Sequence, residues 1–107
     1  MIDDGTYGGY VTRHERPPAF AGSDGQAYSA ALLVDDAPDA TGRYGGGFLF
    51  VRWGEGEGLP TGHVETEYLV FAATRDDAER QLAAMSLLEV KTQLDRAITA
   101  RRERGDW

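Results

Sequence analysis

His63, Glu65 and Glu67 occupy alternate positions near the middle of the chain. On a strand that spacing puts the three side chains on one face. An imidazole and two carboxylates are groups that a divalent metal accepts, and His14 could complete a His/carboxylate set. Metal sites need three or four converging donors, and alternation of this kind arises readily at a polar strand edge. The sequence is therefore read as holding no metal and no cofactor. Arg52 and Trp53 precede a glycine-rich turn that leads back to His63. A pair of strands there would gather Arg52, Trp53, His63, Glu65 and Glu67 into a small ligand-binding surface. A carboxylate beside apolar Phe50 would hold its proton more tightly, and a His–Glu couple can move one. These groups select no reaction class, so they neither make the chain an enzyme nor exclude it.

Other chemistries find less support. The glycine clusters Gly45–Gly47 and Gly54–Gly62 lack the Lys-Ser/Thr ending of a phosphate loop, and Glu55 and Glu57 would repel phosphate. No Gly-x-Ser-x-Gly elbow presents a nucleophile. The absence of cysteine removes disulfides and thiolate metal sites. Tyr7, Tyr10, Tyr28, Tyr44 and Tyr68 could stack bases on a sheet. However, the chain carries 18 acidic against 11 basic residues, a net charge of −7, and the whole excess falls within residues 1–74. Phosphate binding relies on clustered Lys and Arg, so nucleic acid is excluded as a partner and the tyrosines read as packing residues.

These side chains must be positioned by a domain of 107 residues, enough for one hydrophobic core and too few for two. No apolar run reaches the roughly 20 residues of a membrane-spanning helix. Met1 to Gly9 has no basic region followed by an apolar stretch, so the expected setting is cytoplasmic, without a membrane. Four runs read as strands: Tyr7 to Glu15, Gln26 to Asp35, Tyr44 to Trp53 and His63 to Ala73. In the first, Tyr10, Thr12 and His14 alternate with Val11, Arg13 and Glu15, and Pro17-Pro18 closes it. In the second, Tyr28, Ala30, Leu32 and Val34 share a face. Thr74 then opens a helix over residues 75–104, with Asp77 completing a capping pattern and Gly105 as its stop. The expected fold is α+β over 1–107, with strands in about 7–73: a four-stranded, mainly antiparallel meander packed against one long C-terminal helix.

The third and fourth runs fit a register with Arg52 opposite Glu65, Phe50 opposite Glu67, Trp53 opposite Val64 and Leu49 opposite Tyr68, which unites opposite charges. One face then carries Leu49, Val51, Trp53, Val64, Tyr68 and Val70. The other carries Phe48, Phe50, Arg52, Glu65, Leu69 and Phe71. One helix covers one face, which leaves Phe48, Phe50, Leu69 and Phe71 in need of a partner. The helix adds a surplus of its own at Leu82, Met85 and Leu88, off the stripe formed by Ala83, Leu87, Val90, Leu94, Ala97 and Ile98. Burying about 400 Å² of such surface supplies roughly 10 kcal/mol before association costs. The leading expectation is a homodimeric interaction or assembly module, dimers being the commonest oligomers. A small-molecule or metal-binding domain around Arg52, His63 and Glu65, with scope for catalysis, is the alternative. An acidic decoy for a basic protein would require Asp35, Asp36, Asp39, Glu55 and Glu57 to cluster.

Overall fold

A computed structural model describes residues 5–54 and 58–105. The elements run α1 (Tyr7–His14), β1 (Ala19–Ala21), β2 (Ala27–Val34), β3 (Tyr44–Trp53), β4 (Pro60–Glu65), β5 (Val70–Ala72), α2 (Arg75–Ala83) and α3 (Leu87–Glu103). All pairings are antiparallel, in the order β1-β2-β3-β4, with β5 also on β3. This is the expected α+β meander with a C-terminal helix. β2 and β3 lie where the alternation placed them.

The first run is a helix, not a strand. The Thr6 side chain accepts a hydrogen bond from the Gly9 N–H, and Glu15 closes the helix in the left-handed region at φ 54°. N-terminal capping and a left-handed exit override the apparent alternation. Helical spacing sends Tyr7 and Val11 to the core and stacks Tyr10 on His14, with ring centroids 4.3 Å apart. The Tyr7 hydroxyl donates to the Ala30 carbonyl at 2.9 Å, and its ring lies 5.2 Å from that of Phe48, which anchors α1 on the helical side of the sheet. The short strand β1 lies in the segment expected to be a loop.

The long C-terminal helix is two helices. The Ser86 side chain accepts from the Glu89 N–H and starts α3. The break at residues 84–86 is held from outside. The Tyr7 N–H donates to the Met85 carbonyl, the Leu87 N–H donates to the Gly5 carbonyl, and Thr6 bridges Ser86. The two apolar faces read along one helix therefore belong to two helices of different direction. Thr74 caps α2 as expected, its side chain accepting from the Asp77 N–H.

The fourth run is also divided. β4 and β5 both pair with the same edge of β3, end to end, and residues 66–69 cross between them. That crossing explains two glycines of β3. A Cβ at Gly45 would stand 2.7 Å from the Tyr68 ring, and one at Gly47 would stand 2.9 Å from the Glu67 carbonyl while striking the Thr66 hydroxyl. The glycines serve close approach of the crossing segment. The irregularity in β3 lies at Arg52/Trp53, not at the glycines.

The β3–β4 register is displaced by three residues from the expected one: Arg52 lies opposite Gly62, Val51 opposite His63, Phe50 opposite Val64 and Leu49 opposite Glu65. An odd displacement reverses a strand's faces. Val64 therefore joins Phe48 and Phe50, and these three pack with Tyr28, Ala30, Leu82, Val90, Leu94 and Ile98 as the core. All helices bear on that face.

Candidate functional site

The corrected register decides where the candidate residues go. Arg52 and Glu65 do not pair. Arg52 lies on the helical side, its Nε 3.4 Å from the Asp24 carboxylate. His63 and Glu65 lie on the opposite face, with Nε2 and Oε1 3.9 Å apart. His14 is on α1, on the helical side, so the two histidines belong to opposite faces. Among the described residues no three His, Cys, Asp or Glu side chains gather as metal ligands. The proposed grouping of Arg52, Trp53, His63, Glu65 and Glu67 is thus split. Trp53, His63 and Glu65 stay together on one face, Arg52 leaves, and Glu67 lies on the crossing segment.

Arg52 instead joins a polar cluster that sequence reading missed. Asp24 has only 4% of its side chain exposed. It accepts from the Tyr28 hydroxyl at 2.7 Å and from the Gln26 N–H at 3.0 Å. Burial alone would raise its pKa. The two hydrogen bonds and the Arg52 and Arg102 charges outweigh burial and hold it below the ordinary carboxylate value. Burial and the hydrogen bond to Asp24 push the Tyr28 phenol far up. Next to this cluster the Ser23 N–H donates to Asp95 of α3 at 3.0 Å, and Lys91 pairs with the same carboxylate. The cluster fastens the β1–β2 turn onto α3. Nothing in the sequence of the Ser23-Asp24-Gly25 turn signals that its carboxylate is buried.

Phe48, Phe50 and Leu82 are fully buried within the chain, so the expected interface at these residues is overturned. Their partners are the helices. Leu69 and Met85 are half-buried against the same core. Phe71 and Leu88 remain exposed, at 47% and 76%.

The uncovered surface is the opposite face. Odd-numbered residues of β2 and β3 point there: Ala31 and Leu33, then Leu49, Val51 and Trp53. Leu49, Val51 and Trp53 are half-buried, and Leu33 is 40% exposed. Trp53 Nε1 donates to the Ser29 hydroxyl at 3.0 Å, which fixes the indole at one end of the face. At the other end the Tyr68 and Phe71 rings meet at a tilt with centroids 5.3 Å apart, and the Tyr68 hydroxyl donates to Asp35 at 2.8–2.9 Å. That hydrogen bond, with burial and the negative charge of Asp35, raises the Tyr68 pKa. Between these ends Leu49, Val51, Pro60, His63 and Glu65 line a shallow depression of about 450 Å³. The site is an apolar floor with aromatic ends and one polar edge.

The strand edges are partly blocked. β1 has three residues and follows Pro17-Pro18, which offer no N–H. At the other edge Arg101 Nη1 donates to the His63 carbonyl at 2.8 Å, filling an acceptor that would otherwise face outward. Of the five acids that could make an anionic surface, Asp35 accepts from Tyr68, Asp36 lies 3.9 Å from Arg75 and Asp39 closes its own turn. Glu55 and Glu57 lie outside the described residues. No helix among the described residues is long and apolar enough to cross a membrane. The chain matches no protein-family model, no curated protein and no solved structure.

Proposed function

We propose that this chain is a self-associating interaction module that seals its open sheet face against a second copy. One observation carries the reading: all described helices pack on one side of the sheet, and the other side presents Ala31, Leu33, Leu49, Val51 and Trp53 with no helix or strand over them among the described residues. The five residues lie on two adjacent strands, so at about 3.3 Å per residue and about 4.8 Å per strand this floor measures roughly 23 by 10 Å. Two copies face to face remove roughly 450 Å² before the β4 residues and the rim residues Tyr68 and Phe71 contribute. That is about half of the roughly 1,000 Å² at which specific interfaces begin, so the rim and β4 must supply the rest. Sheets pack face to face with interdigitating apolar side chains, so the geometry needs no rearrangement. The short β1 after Pro17-Pro18 and the Arg101 bond to the His63 carbonyl disfavour strand addition and leave face packing the better route.

The charge supports a distinct salt dependence. Each copy carries −7, so two copies repel, and added salt screens that repulsion. Apolar association between them strengthens with salt, whereas an interface held by ion pairs would weaken.

The chain has no cysteine, which makes introduced cysteines clean reporters. Under mild oxidation, Leu49→Cys and Val51→Cys form disulfide-linked dimers, because residues near a two-fold axis meet their own copies. Glu79→Cys on α2 serves as the control from the helical side and stays monomeric. Equal cross-linking at all three positions, or none at the sheet positions, contradicts the proposal.

A further inference from the structure

A second site lies away from the sheet floor, in a cleft of about 290 Å³ between the β4–β5 crossing and α3. Its floor is apolar and low: Leu69 from the crossing, with Ala97 and Ala100 from α3. Small side chains spaced by three on one helix face leave the space open. The walls carry opposite charge. Glu65 and Glu67 stand on the sheet side, and Arg96 and Arg104 on the helix side. Glu67 and Arg96 are exposed, and no ion pair joins Glu67 to Arg96 among the described residues. The Thr66 hydroxyl is already engaged, accepting from the Phe48 N–H and donating to the Glu67 carbonyl, so the crossing backbone that carries Glu67 is fixed before any ligand arrives.

We propose that this cleft binds a small zwitterion, a molecule carrying a carboxylate and an ammonium or guanidinium group on a short apolar spacer. The guanidinium of Arg96 takes the carboxylate, Glu67 takes the cation, and the spacer lies over Ala97 and Ala100. The volume is near the lower limit for ligand pockets, about 300–1,000 Å³, which fits an amino-acid-sized molecule and is too small for a nucleotide. Neither charge alone uses both walls. A lone anion meets Glu67 as a like charge, and a lone cation meets Arg96.

The test uses 6-aminohexanoate as probe, with hexanoate and hexylammonium as singly charged counterparts, read by amide chemical shifts of the full-length protein. The expected result is a saturable shift centred on Glu67, Leu69, Ala97 and Ala100. The singly charged probes bind about tenfold more weakly or less, the loss of one charge-assisted hydrogen bond. Glu67→Gln and Arg96→Gln each reduce affinity for 6-aminohexanoate by about the same factor. Both positions are exposed, so unchanged shifts elsewhere confirm that the variants fold. Equal binding of hexanoate would reveal a plain anion site and overturn the proposal. Shifts scattered over the surface, or no saturable shift, would overturn it as well.

Discussion

The two faces of the sheet come from the same strands, yet they meet different surroundings. On one, Tyr28, Ala30, Phe48, Phe50 and Val64 are sealed by the helices, and the Tyr7 and Tyr28 hydroxyls that enter with them are hydrogen-bonded. On the other, Leu49, Val51 and Trp53 follow one another along β3, and among the described residues only 66–69 cross that face, at one end. Both faces are apolar, so composition does not distinguish them. What distinguishes them is that side chains on the sealed face have helices to pack against. The open face has hydrophobicity of similar kind without a partner, and that mismatch supports the proposal of self-association.

The largest effect that tests this contrast is Phe50→Ala. Emptying a fully buried aromatic site costs about 3–5 kcal/mol. Val51→Ala, one residue along on the open face, costs about 1 kcal/mol or less when measured at monomer concentrations. Urea unfolding of both variants checks the pair. Similar losses would mean that the two faces are equally sealed.

Next in size is the contact that partly covers the open face. Gly47→Ala forces a methyl against the Glu67 backbone and the Thr66 hydroxyl, at a cost of about 1–3 kcal/mol. It also displaces the crossing segment, so near-ultraviolet dichroism from Tyr68 and its neighbours changes with it.

Asp24→Asn probes the sealed side at its polar margin. Removing the carboxylate that Tyr28 and Arg52 share costs about 1–3 kcal/mol at neutral pH. Asp24 binds its proton more weakly folded than unfolded, so unfolding takes up a proton at acid pH. Its stabilisation is complete above the ordinary carboxylate value of 3.8 and is lost as pH falls through the lower folded value. Urea midpoints between neutral pH and about pH 2 should converge for wild type and Asp24→Asn at the acid end. A constant gap would show that Asp24 does not act as a carboxylate.

The smallest thermodynamic effect is at the edge. Arg101→Ala changes stability by about 0.5 kcal/mol, since the side chain is half-buried and one hydrogen bond to the edge is lost. It opens the His63 carbonyl to another strand. The readout is slow, concentration-dependent aggregation with rising β signal. Unchanged solubility would show that the edge is guarded in some other way.

β2 and β3 were legible in sequence because alternation of Tyr28, Ala30, Leu32 and Val34, and the apolar run through Phe48–Val51, describe strands buried on one or both faces. The Thr74 cap was legible for the same local reason. Tyr7–His14 was not, because Tyr10 and His14, four apart, share a face in a strand and in a helix alike, and the Thr6 cap decided between them. The helix break at residues 84–86 was invisible because its hydrogen bonds come from Gly5 and Tyr7, far away in the chain. The β3–β4 register failed for a physical reason: pairing Arg52 with Glu65 looked favourable, but burying Val64 beside Phe50 is worth more than an exposed ion pair. The same error reversed the interface. An unpaired apolar face was expected, and one is present, but it holds Leu49 and Val51 where Phe48 and Phe50 were expected.

The most direct test of the account is the solution mass by light scattering over a range of concentration and salt, for wild type and for Val51→Lys. Wild type should approach twice 11.7 kDa as concentration and salt rise, and Val51→Lys should remain at 11.7 kDa while staying folded, with a stability loss of about 1 kcal/mol. A wild type that stays at 11.7 kDa throughout, or a variant that dimerises equally well, would contradict the claim that a second copy closes the open face.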